Sequence, residues 1–266
     1  MSTHRGPHWE RALVTGASAG IGEAFARRLA AEGTALVLVA RDKQRLQALA
    51  DELEAANAVE VEVLAADLAD PDGAAAVAER ISAKPTIDLM VNNAGIGSKG
   101  EFADLPLDGE LRLVDVNISA LMQLTQVAIG QMTRRGAGNV INVSSMSGLQ
   151  PVPSMATYGA TKAFVNSFTD ALHEETRGTG VTITAVMPGF VRTEFQERTG
   201  NPDGFPQVPK LMWLTPEQVA SDALDAARKG RADCVPGRGY RLASVLMGVT
   251  PRSVLRRFSG ATARYH

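Results

Sequence analysis

Tyr158 and Lys162 are the residues of this chain whose types and spacing are best suited to chemistry. They stand four residues apart in a strongly helical run, residues 158–177, so both side chains point to one face of the predicted helix. A nearby ammonium favours phenolate, and about 4 kcal/mol of that effect would bring the phenol pKa from its usual value of about 10 to near neutral. We therefore predict that Tyr158 transfers a proton near neutral pH. The alternative is a surface helix on which the pair does no chemistry.

The composition limits the classes of protein to be considered. With 266 residues, 45% hydrophobic and 21% charged, the chain can bury a large core, and we predict one domain over residues 1–266. The formal net charge of −2 and the pI of about 6.1 disfavour a general nucleic-acid binder. A single cysteine, Cys234, excludes an intrachain disulfide and fits the reducing cytoplasm, where we expect the protein. Residues 1–11 are polar and no apolar run reaches ~18 residues, so we expect neither a signal peptide nor a membrane-spanning helix.

A glycine-rich turn near the N-terminus predicts a nucleotide site. The β-prone residues 11–15 run into three glycines spaced Gly-x3-Gly-x-Gly, and a helical pattern follows to about residue 31. Such glycines allow close approach of the backbone, and the helix N-terminus offers free N–H groups to a pyrophosphate. A glycine-rich turn without a ligand is the alternative. The residues expected to contact a dinucleotide here are Gly16, Ser18, Ala19, Gly20, Ile21 and Gly22.

The same turn also matches the nucleophile elbow of α/β-hydrolases, Gly-x-Ser-x-Gly, with Ser18 as the nucleophile of an esterase. That reading needs an acid and then a histidine further along the chain. Only His173 and His266 follow Ser18, and the strands that should precede an elbow are absent. The hydrolase is therefore the weaker of the two interpretations.

Arg41 bears on the choice of dinucleotide. It follows the continuous apolar run Ala35–Ala40, and the end of this second strand is where the adenosine ribose would be recognised. An arginine there complements the 2′-phosphate of NADP, whereas an acid accepts a hydrogen bond from the 2′-hydroxyl of NAD. Arg41 thus favours NADP(H), although Asp42 beside it weakens the inference.

The order of the predicted elements indicates an α/β fold. Strand and helix patterns alternate every ~20–30 residues, which is typical of βαβ units in a doubly wound parallel sheet with helices on both faces. Polar residues at the carboxyl ends of the strands are then expected to meet at one edge. Further strands are predicted over residues 59–65, 87–91, 139–143 and 181–186, and helices over 43–56, 71–82 and 105–135, the last interrupted by Asn117.

Residues 190–214 are predicted to form a substrate lid. They contain several glycines and prolines and end in the apolar run Leu211-Met212-Trp213-Leu214. The lid is expected to stop at Thr215, which can cap a helix with Pro216 in its first position and Gln218 reaching back. Phe195, Met212 and Trp213 suggest an apolar substrate.

Together these segments resemble the short-chain dehydrogenase/reductase family of single-domain enzymes. The agreement extends over about residues 9–235 and keeps the family's order and approximate spacings. The matching segments are residues 15–22 (Thr-Gly-Ala-Ser-Ala-Gly-Ile-Gly), Asn92-Asn93-Ala94-Gly95, Asn117, Ser145, Tyr158-x-x-x-Lys162 and Pro188-Gly189.

The resemblance implies a Rossmann-type sheet in the order 3-2-1-4-5-6-7 and an oxidoreductase of the carbonyl/alcohol class. Hydride would pass between the nicotinamide C4 and the substrate carbon, with Tyr158 as general acid in reduction, and no metal is required. A cofactor-binding protein without catalysis is the remaining alternative. The resemblance also implies dimers or tetramers formed by the two long helices after strands four and five, where Phe164, Phe168, Ala171 and Leu172 would supply apolar surface.

The resemblance further assigns roles to single residues. Ser145 would hydrogen-bond the substrate oxygen, with Ser144 and Ser147 as the fallback choices. Lys162 would bind the nicotinamide ribose and lower the phenol pKa, and Asn117 would hold a water that links Lys162 to solvent. The remaining residues expected in the cofactor cleft are Asp67 and Leu68 near the adenine, Asn93, Ala94 and Gly95 along the wall, and Pro188, Gly189, Val191 and Thr193 at the nicotinamide amide.

Residues 236–266 form a basic C-terminal extension outside the resemblance. Residues 229–266 contain eight Lys or Arg residues against the single acid Asp233. Residues 242–249 are apolar, and residues 251–258 predict a short basic helix. Such a segment can lie on an anionic bilayer or receive an acidic carrier or a CoA-type phosphate. The alternative is a helix packed over the substrate cleft with its arginines in solvent.

Overall fold

A seven-stranded parallel sheet in the order β3-β2-β1-β4-β5-β6-β7 forms the centre of the structure, a computed structural model that describes residues 9–199 and 208–263. This confirms the predicted α/β class and strand order. All five β1 residues are buried, as expected for a parallel strand covered on both faces. The strands are β1 (Arg11–Thr15), β2 (Ala35–Ala40), β3 (Val61–Ala65), β4 (Leu89–Asn92), β5 (Gly138–Val143), β6 (Val181–Val186) and β7 (Asp233–Cys234).

Helices cover both faces of the sheet. One core cluster joins the sheet to α1, α2 and α8, with Phe25 and Leu46 among its fully buried side chains. A second cluster joins the opposite face to α3 and α5 through Val77 and Leu124. The helices are α1 (Gly20–Ala31), α2 (Lys43–Asn57), α3 (Pro71–Ser82), α4 (Leu107–Val114), α5 (Leu121–Arg135), α6 (Ala156–Glu175), α7 (Phe195–Arg198), α8 (Pro216–Arg228), α9 (Arg238–Val249) and α10 (Arg252–Ala263).

The predicted element boundaries differ from the structure by a few residues. Strand β3 begins at Val61 and not at residue 59, because Ala58 ends α2 in the left-handed conformation (φ 53°). Strand β4 begins at Leu89, the first residue paired with β1, although Ile87 is already buried. The Tyr–Lys helix, α6, starts two residues before Tyr158.

The long helical stretch between β4 and β5 is interrupted where Asn117 predicted a break. A π-helical segment, Asp115–Ala120, separates α4 from α5. By length and composition, Leu107–Arg135 could span a membrane, because one 18-residue window in it has a mean hydropathy of 1.3, contrary to the expectation from the sequence. The helix has this composition because its buried side chains, such as Leu124 and Met132, pack in the protein core.

The two ends of the predicted lid, residues 190–214, are hydrogen-bonded to each other. The amide of Leu214 donates to the Phe190 carbonyl at 2.8 Å, and the amide of Arg192 donates to the Leu214 carbonyl at 3.1 Å. Between these ends lie α7 and a short 3-10 turn, Lys210–Met212, and residues 200–207 fall outside the described part. The predicted cap at Thr215 is confirmed, because a complete capping box with Gln218 begins α8. The basic helix predicted over residues 251–258 is α10, which extends to Ala263.

Candidate active site

One cleft of about 1670 Å³ opens where the carboxyl ends of the strands meet. It contains all but two of the residues that the sequence analysis assigned to catalysis or cofactor binding. The exceptions are Gly22 and Asn117, which lie behind its wall. The predicted residues that line the cleft are Gly16, Ser18, Ala19, Gly20, Ile21, Arg41, Asp67, Leu68, Asn93, Ala94, Gly95, Ser145, Tyr158, Lys162, Pro188, Gly189, Val191 and Thr193.

The glycine-rich turn is held so tightly that two of its glycines cannot be replaced without movement. Gly16 has φ +65°, and a Cβ added there would lie 2.8 Å from Nδ2 of Asn93. A Cβ added to Gly22 would lie 2.2 Å from the carbonyl oxygen of Gly16. Thus Gly22 shapes the turn from behind without reaching the cleft.

Asn93 and Thr15 lock this turn to the end of β4. The Asn93 amide donates to the Thr15 carbonyl at 2.9 Å, and the Thr15 hydroxyl accepts from the main-chain N–H groups of Asn93 and Ala94 at 3.0 Å each. Helix α1 starts after Ala19, whose side chain cannot cap, so its first N–H groups remain for an anion. The cradle therefore fits the pyrophosphate of a dinucleotide.

The adenosine end of the cleft contains two arginines. Arg41 is exposed at the end of β2, and Asp42 accepts from the Arg45 main-chain N–H at 3.0 Å as the cap of α2. Arg45, which the sequence analysis did not single out, also lines the cleft, and its guanidinium pairs with Glu194 of the lid at 3.0 Å.

Asp67 is held by a partner that the sequence did not indicate. Its carboxylate accepts from the Arg112 guanidinium of α4 at 2.5 Å. Burial raises the pKa of Asp67, but the hydrogen bonds from Arg112 and the Ala69 N–H outweigh burial and leave the pKa below its ordinary value. The carboxylate is therefore ionised at neutral pH at the adenine end of the cleft.

The Tyr158, Lys162 and Ser145 side chains come together at the end of β5. The Lys162 ammonium donates to the Val143 carbonyl at 2.9 Å and lies 5.7 Å from the centre of the Tyr158 ring. The Ser145 hydroxyl hydrogen-bonds with the Tyr158 phenol and accepts from the Ser147 N–H at 3.0 Å. Ser144, in contrast, donates its hydroxyl to the Lys162 carbonyl at 2.9 Å, so it braces α6.

The prediction of a depressed phenol pKa is wrong for this structure. Burial raises the pKa of Tyr158 to about 12, and the Ser145 hydrogen bond offsets only part of that effect. Burial also lowers the pKa of Lys162 to about 8. The two groups share a face of α6 as expected, but both are removed from water, and desolvation outweighs their attraction.

Asn117 acts as a brace on the wall behind these groups. Its amide donates to the Ile96 carbonyl at 2.9 Å and to the Thr161 hydroxyl at 3.1 Å, and its oxygen accepts from the Ile96 N–H at 3.0 Å. These bonds tie the loop after β4 to α6. The side-chain amide is occupied in this way, and the water-holding role stays a prediction.

The opposite half of the cleft is mainly apolar. Leu113 and Met155 cluster with the Tyr158 ring, and Phe195 of α7 packs against it with ring centres 5.4 Å apart. Two polar atoms interrupt this surface, the Ser98 hydroxyl and Oε2 of Glu110. Both are buried and have no hydrogen-bond partner within the described ranges, and Glu110 is only 5% exposed. The sequence analysis missed them because neither belongs to a motif.

Tyr240 of α9 joins this half to the lid, and it too was missed. Its hydroxyl donates to the Met212 carbonyl at 2.8 Å and accepts from the Phe190 N–H at 3.1 Å. Its ring covers Gly189 so closely that an added Cβ would lie 2.1 Å away. Gly189 is therefore required by packing against a residue about fifty positions later, which no local pattern reveals.

The hydrolase alternative has no support in the geometry. Ser18 lines the cleft, but His173 does not, and its ring nitrogen lies 2.8 Å from the Ile183 carbonyl. His266 lies outside the described residues.

Comparison with known proteins identifies the family. The family model described as short chain dehydrogenase matches residues 10–203. The chain belongs to this family. Like its other members, it is an NAD(P)-dependent oxidoreductase with a Rossmann-type fold that acts on small molecules, and the family is typically oligomeric.

Two curated relatives and one solved structure illustrate the similarity of this dehydrogenase. Human very-long-chain 3-oxoacyl-CoA reductase is 36% identical over 192 residues, which cover 70% of this chain but 60% of the human protein. Sulfoacetaldehyde reductase 2 of Chromohalobacter salexigens is 37% identical over 216 residues, covering 80% and 79% of the two chains. A Sphingobium yanoikuyae short-chain dehydrogenase in complex with NADPH matches with a TM-score of 0.81 and 35% identity, covering 91% of this chain and 96% of that one.

Proposed function

We propose that this dehydrogenase reduces a bulky, largely apolar ketone or aldehyde, and oxidises the corresponding alcohol, with Tyr158 as acid and base. The observation that carries the proposal is the position of the Tyr158 phenol, hydrogen-bonded to Ser145 at the edge of an apolar cavity. A bound nicotinamide supplies or accepts the hydride. A phenol whose pKa is raised to about 12 stays protonated at neutral pH, which suits the donation of a proton to a carbonyl oxygen.

The neighbouring residues have distinct tasks in this proposal. Ser145 donates a hydrogen bond to the substrate oxygen, because its hydroxyl faces the phenol, whereas that of Ser144 is engaged by the α6 backbone. Lys162, with a pKa of about 8, is mostly protonated at neutral pH and favours the phenolate that remains after proton transfer. Asn117 positions the loop after β4 and, through a bound water, connects Lys162 to solvent.

The shape of the cleft supports the choice of substrate class more than the relatives do. Their names range from a very-long-chain acyl-CoA to sulfoacetaldehyde. In this chain Met155 and Phe195 line the cleft beside the Tyr158 ring, and Met212 of the lid and Met247 of α9 extend the apolar wall. A small polar substrate would leave this surface unfilled.

NADP(H) is the proposed cofactor. Arg41 and Arg45 both line the adenosine end, and Asp42, the acid that would favour NAD, is occupied as the cap of α2. The related structure with bound NADPH agrees with this choice. We also propose a cytoplasmic homodimer or homotetramer formed through the long helices, where the Phe164 and Phe168 rings stack at 5.4 Å.

Tyr158→Phe tests the reaction. The variant keeps the ring and loses only the hydroxyl, so turnover of an apolar ketone should fall by about a hundredfold or more while cofactor binding is retained. Reduction is followed at 340 nm with both cofactors, and cofactor binding by fluorescence titration. Activity within a few-fold of the parent would contradict the proposed acid, and loss of cofactor binding as well would indicate a structural effect.

Arg41→Ala tests the cofactor. A charge-assisted contact to a 2′-phosphate contributes about 1.5–3 kcal/mol, so NADP(H) affinity should fall about tenfold or more, with little change for NAD(H). Arg45→Ala is the comparison variant. It should have a smaller effect because Glu194 already shares the Arg45 charge. Equal losses for both cofactors, or a parent enzyme that prefers NAD, would refute the assignment.

A further inference from the structure

Helix α9 has apolar side chains on both of its faces. Its inner face, with Tyr240, Ala243 and Met247, packs on the cluster beside the cleft. Its outer face carries four large apolar side chains that are between 56% and 76% exposed. We call this row the outer α9 face, and it consists of Leu242, Val245, Leu246 and Val249.

The spacing of these residues makes the outer α9 face one continuous surface. Positions separated by three, four and seven residues lie above one another on a helix, so the four side chains form a single row. Single exposed apolar residues are ordinary, but a contiguous exposed row marks a surface that contacts something else.

Exposed arginines stand on α9 itself and on the helix that follows it. Arg238 lies at the start of α9, and Arg252, Arg256 and Arg257 are exposed on α10. Within residues 9–199 and 208–263 these four have no ion-pair partner, whereas Arg241 lies 3.5 Å from Asp222. Neither α9 nor α10 contains an acidic residue. The two helices thus combine an exposed apolar row with positive charge that is unpaired among the described residues.

We propose that the outer α9 face and the α10 arginines dock this protein on an anionic lipid bilayer. A bilayer supplies both an apolar interior for the leucines and valines and anionic headgroups for the arginines. A second copy of the chain fits less well. Two-fold packing through this face would bring arginines against arginines with no acid on either helix to pair them.

Docking there places the mouth of the cleft beside the lipid. Tyr240 on the inner face of α9 hydrogen-bonds the lid at Met212, and the neighbouring Leu211 lines the cleft mouth although its side chain is 97% exposed. The docked helix is therefore also a wall of the cleft. The surface itself does not depend on the proposed reaction.

Flotation of the full-length protein with vesicles tests the proposal. Phosphatidylcholine vesicles are compared with vesicles that also contain phosphatidylglycerol, at low and high salt. Binding is expected only with the anionic lipid and should weaken with salt. A chain with Arg252→Glu, Arg256→Glu and Arg257→Glu should bind about a hundredfold more weakly.

Comparing Leu242→Asp with Leu107→Asp shows whether vesicle binding depends on the outer α9 face or on any exposed apolar side chain. The two leucines are equally exposed, at 64%, but Leu107 lies on α4. Leu242→Asp should lower vesicle partitioning about tenfold or more, whereas Leu107→Asp should leave it within twofold. Both variants should keep the parent's thermal unfolding midpoint.

Three outcomes would overturn the proposal. The first is equal binding to neutral and anionic vesicles, or binding to neither. The second is an equal loss of vesicle binding in the two leucine variants. The third is a parent protein that does not bind vesicles but self-associates in ultracentrifugation, with the self-association abolished by Leu242→Asp. The last would assign the outer α9 face to a second copy of the chain.

Discussion

The nucleotide half of the cleft and its substrate half differ in how their polar atoms are satisfied. Around the glycine-rich turn, Thr15 and Asn93 exchange hydrogen bonds with the backbone of neighbouring strands, and Gly22 leaves no space for a side chain. In the substrate half the wall is apolar, and the Ser98 hydroxyl and one Glu110 oxygen have no partner among the described residues. The nucleotide half is thus shaped for one ligand, whereas the substrate half keeps groups that a ligand can satisfy.

Tyr158 lies at the boundary between the two halves, and the substrate half sets the pKa of its phenol. Its ring packs with Leu113, Met155 and Phe195, and this burial, more than the cation of Lys162, sets the pKa of the phenol. The comparison shows that a catalytic group can belong to a motif in the sequence while its protonation is set by residues outside that motif.

The pH dependence of the two reaction directions is the largest expected effect. Alcohol oxidation needs the phenolate of a group with a pKa of about 12, so its rate should rise about tenfold per pH unit up to about pH 8, where Lys162 begins to lose the charge that favours the phenolate. Ketone reduction uses the protonated phenol and should change little below pH 8. It should decline as Lys162, whose pKa is about 8, loses the charge that favours phenolate.

Initial rates in both directions over this range check the prediction. An oxidation rate that levels off near pH 7 would show that the Lys162 cation, and not burial in the substrate half, sets the pKa of the Tyr158 phenol.

Gly22→Ala should break the nucleotide half alone. Its Cβ would meet the Gly16 carbonyl oxygen at 2.2 Å, and overpacking costs about 1–3 kcal/mol, so cofactor affinity should fall about tenfold or more. Gly130→Ala is the control, since its Cβ would make only an ordinary contact with Arg134 at 3.7 Å. If calorimetric titration gives equal cofactor affinities for the two variants, the turn is less rigid than the structure indicates.

Tyr240→Phe should disturb the substrate half alone. It removes the hydroxyl that bonds the Phe190 N–H and the Met212 carbonyl, and a net loss of about 1 kcal/mol should raise the substrate KM about fivefold. Cofactor affinity should be unchanged. A matching loss of cofactor affinity would mean that the two halves are coupled through Gly189.

Glu110→Leu should stabilise the protein, because Oε2 of the buried Glu110 has no hydrogen-bond partner among the described residues. Removing a buried polar group without a partner is expected to add about 1–3 kcal/mol to the free energy of unfolding, or roughly 2–4 °C of Tm per kcal/mol. The exposed Glu101, changed to Leu, is the control and should shift Tm little. Equal Tm changes in differential scanning calorimetry would show that the Glu110 carboxylate is satisfied.

Much of the fold could be predicted because its signals are local. The unbroken apolar run Ala35–Ala40 requires a doubly covered strand, the glycines at 16 and 22 require a tight turn, and the Thr215 capping box starts a helix within four residues. Alternation of such elements leads to a parallel sheet, and the resemblance of their joint pattern to a family supplied the strand order.

The sequence by itself therefore determined the sheet, the glycine cradle and the chemical groups of the cleft, because each follows from neighbouring residues or from a joint motif. Tertiary structure alone decided the raised pKa of Tyr158, the orientation that separates Ser145 from Ser144, and the packing of Tyr240 on Gly189. It also decided which side of α9 faces solvent. These properties depend on burial and on contacts between residues distant in the chain, and no local pattern encodes them.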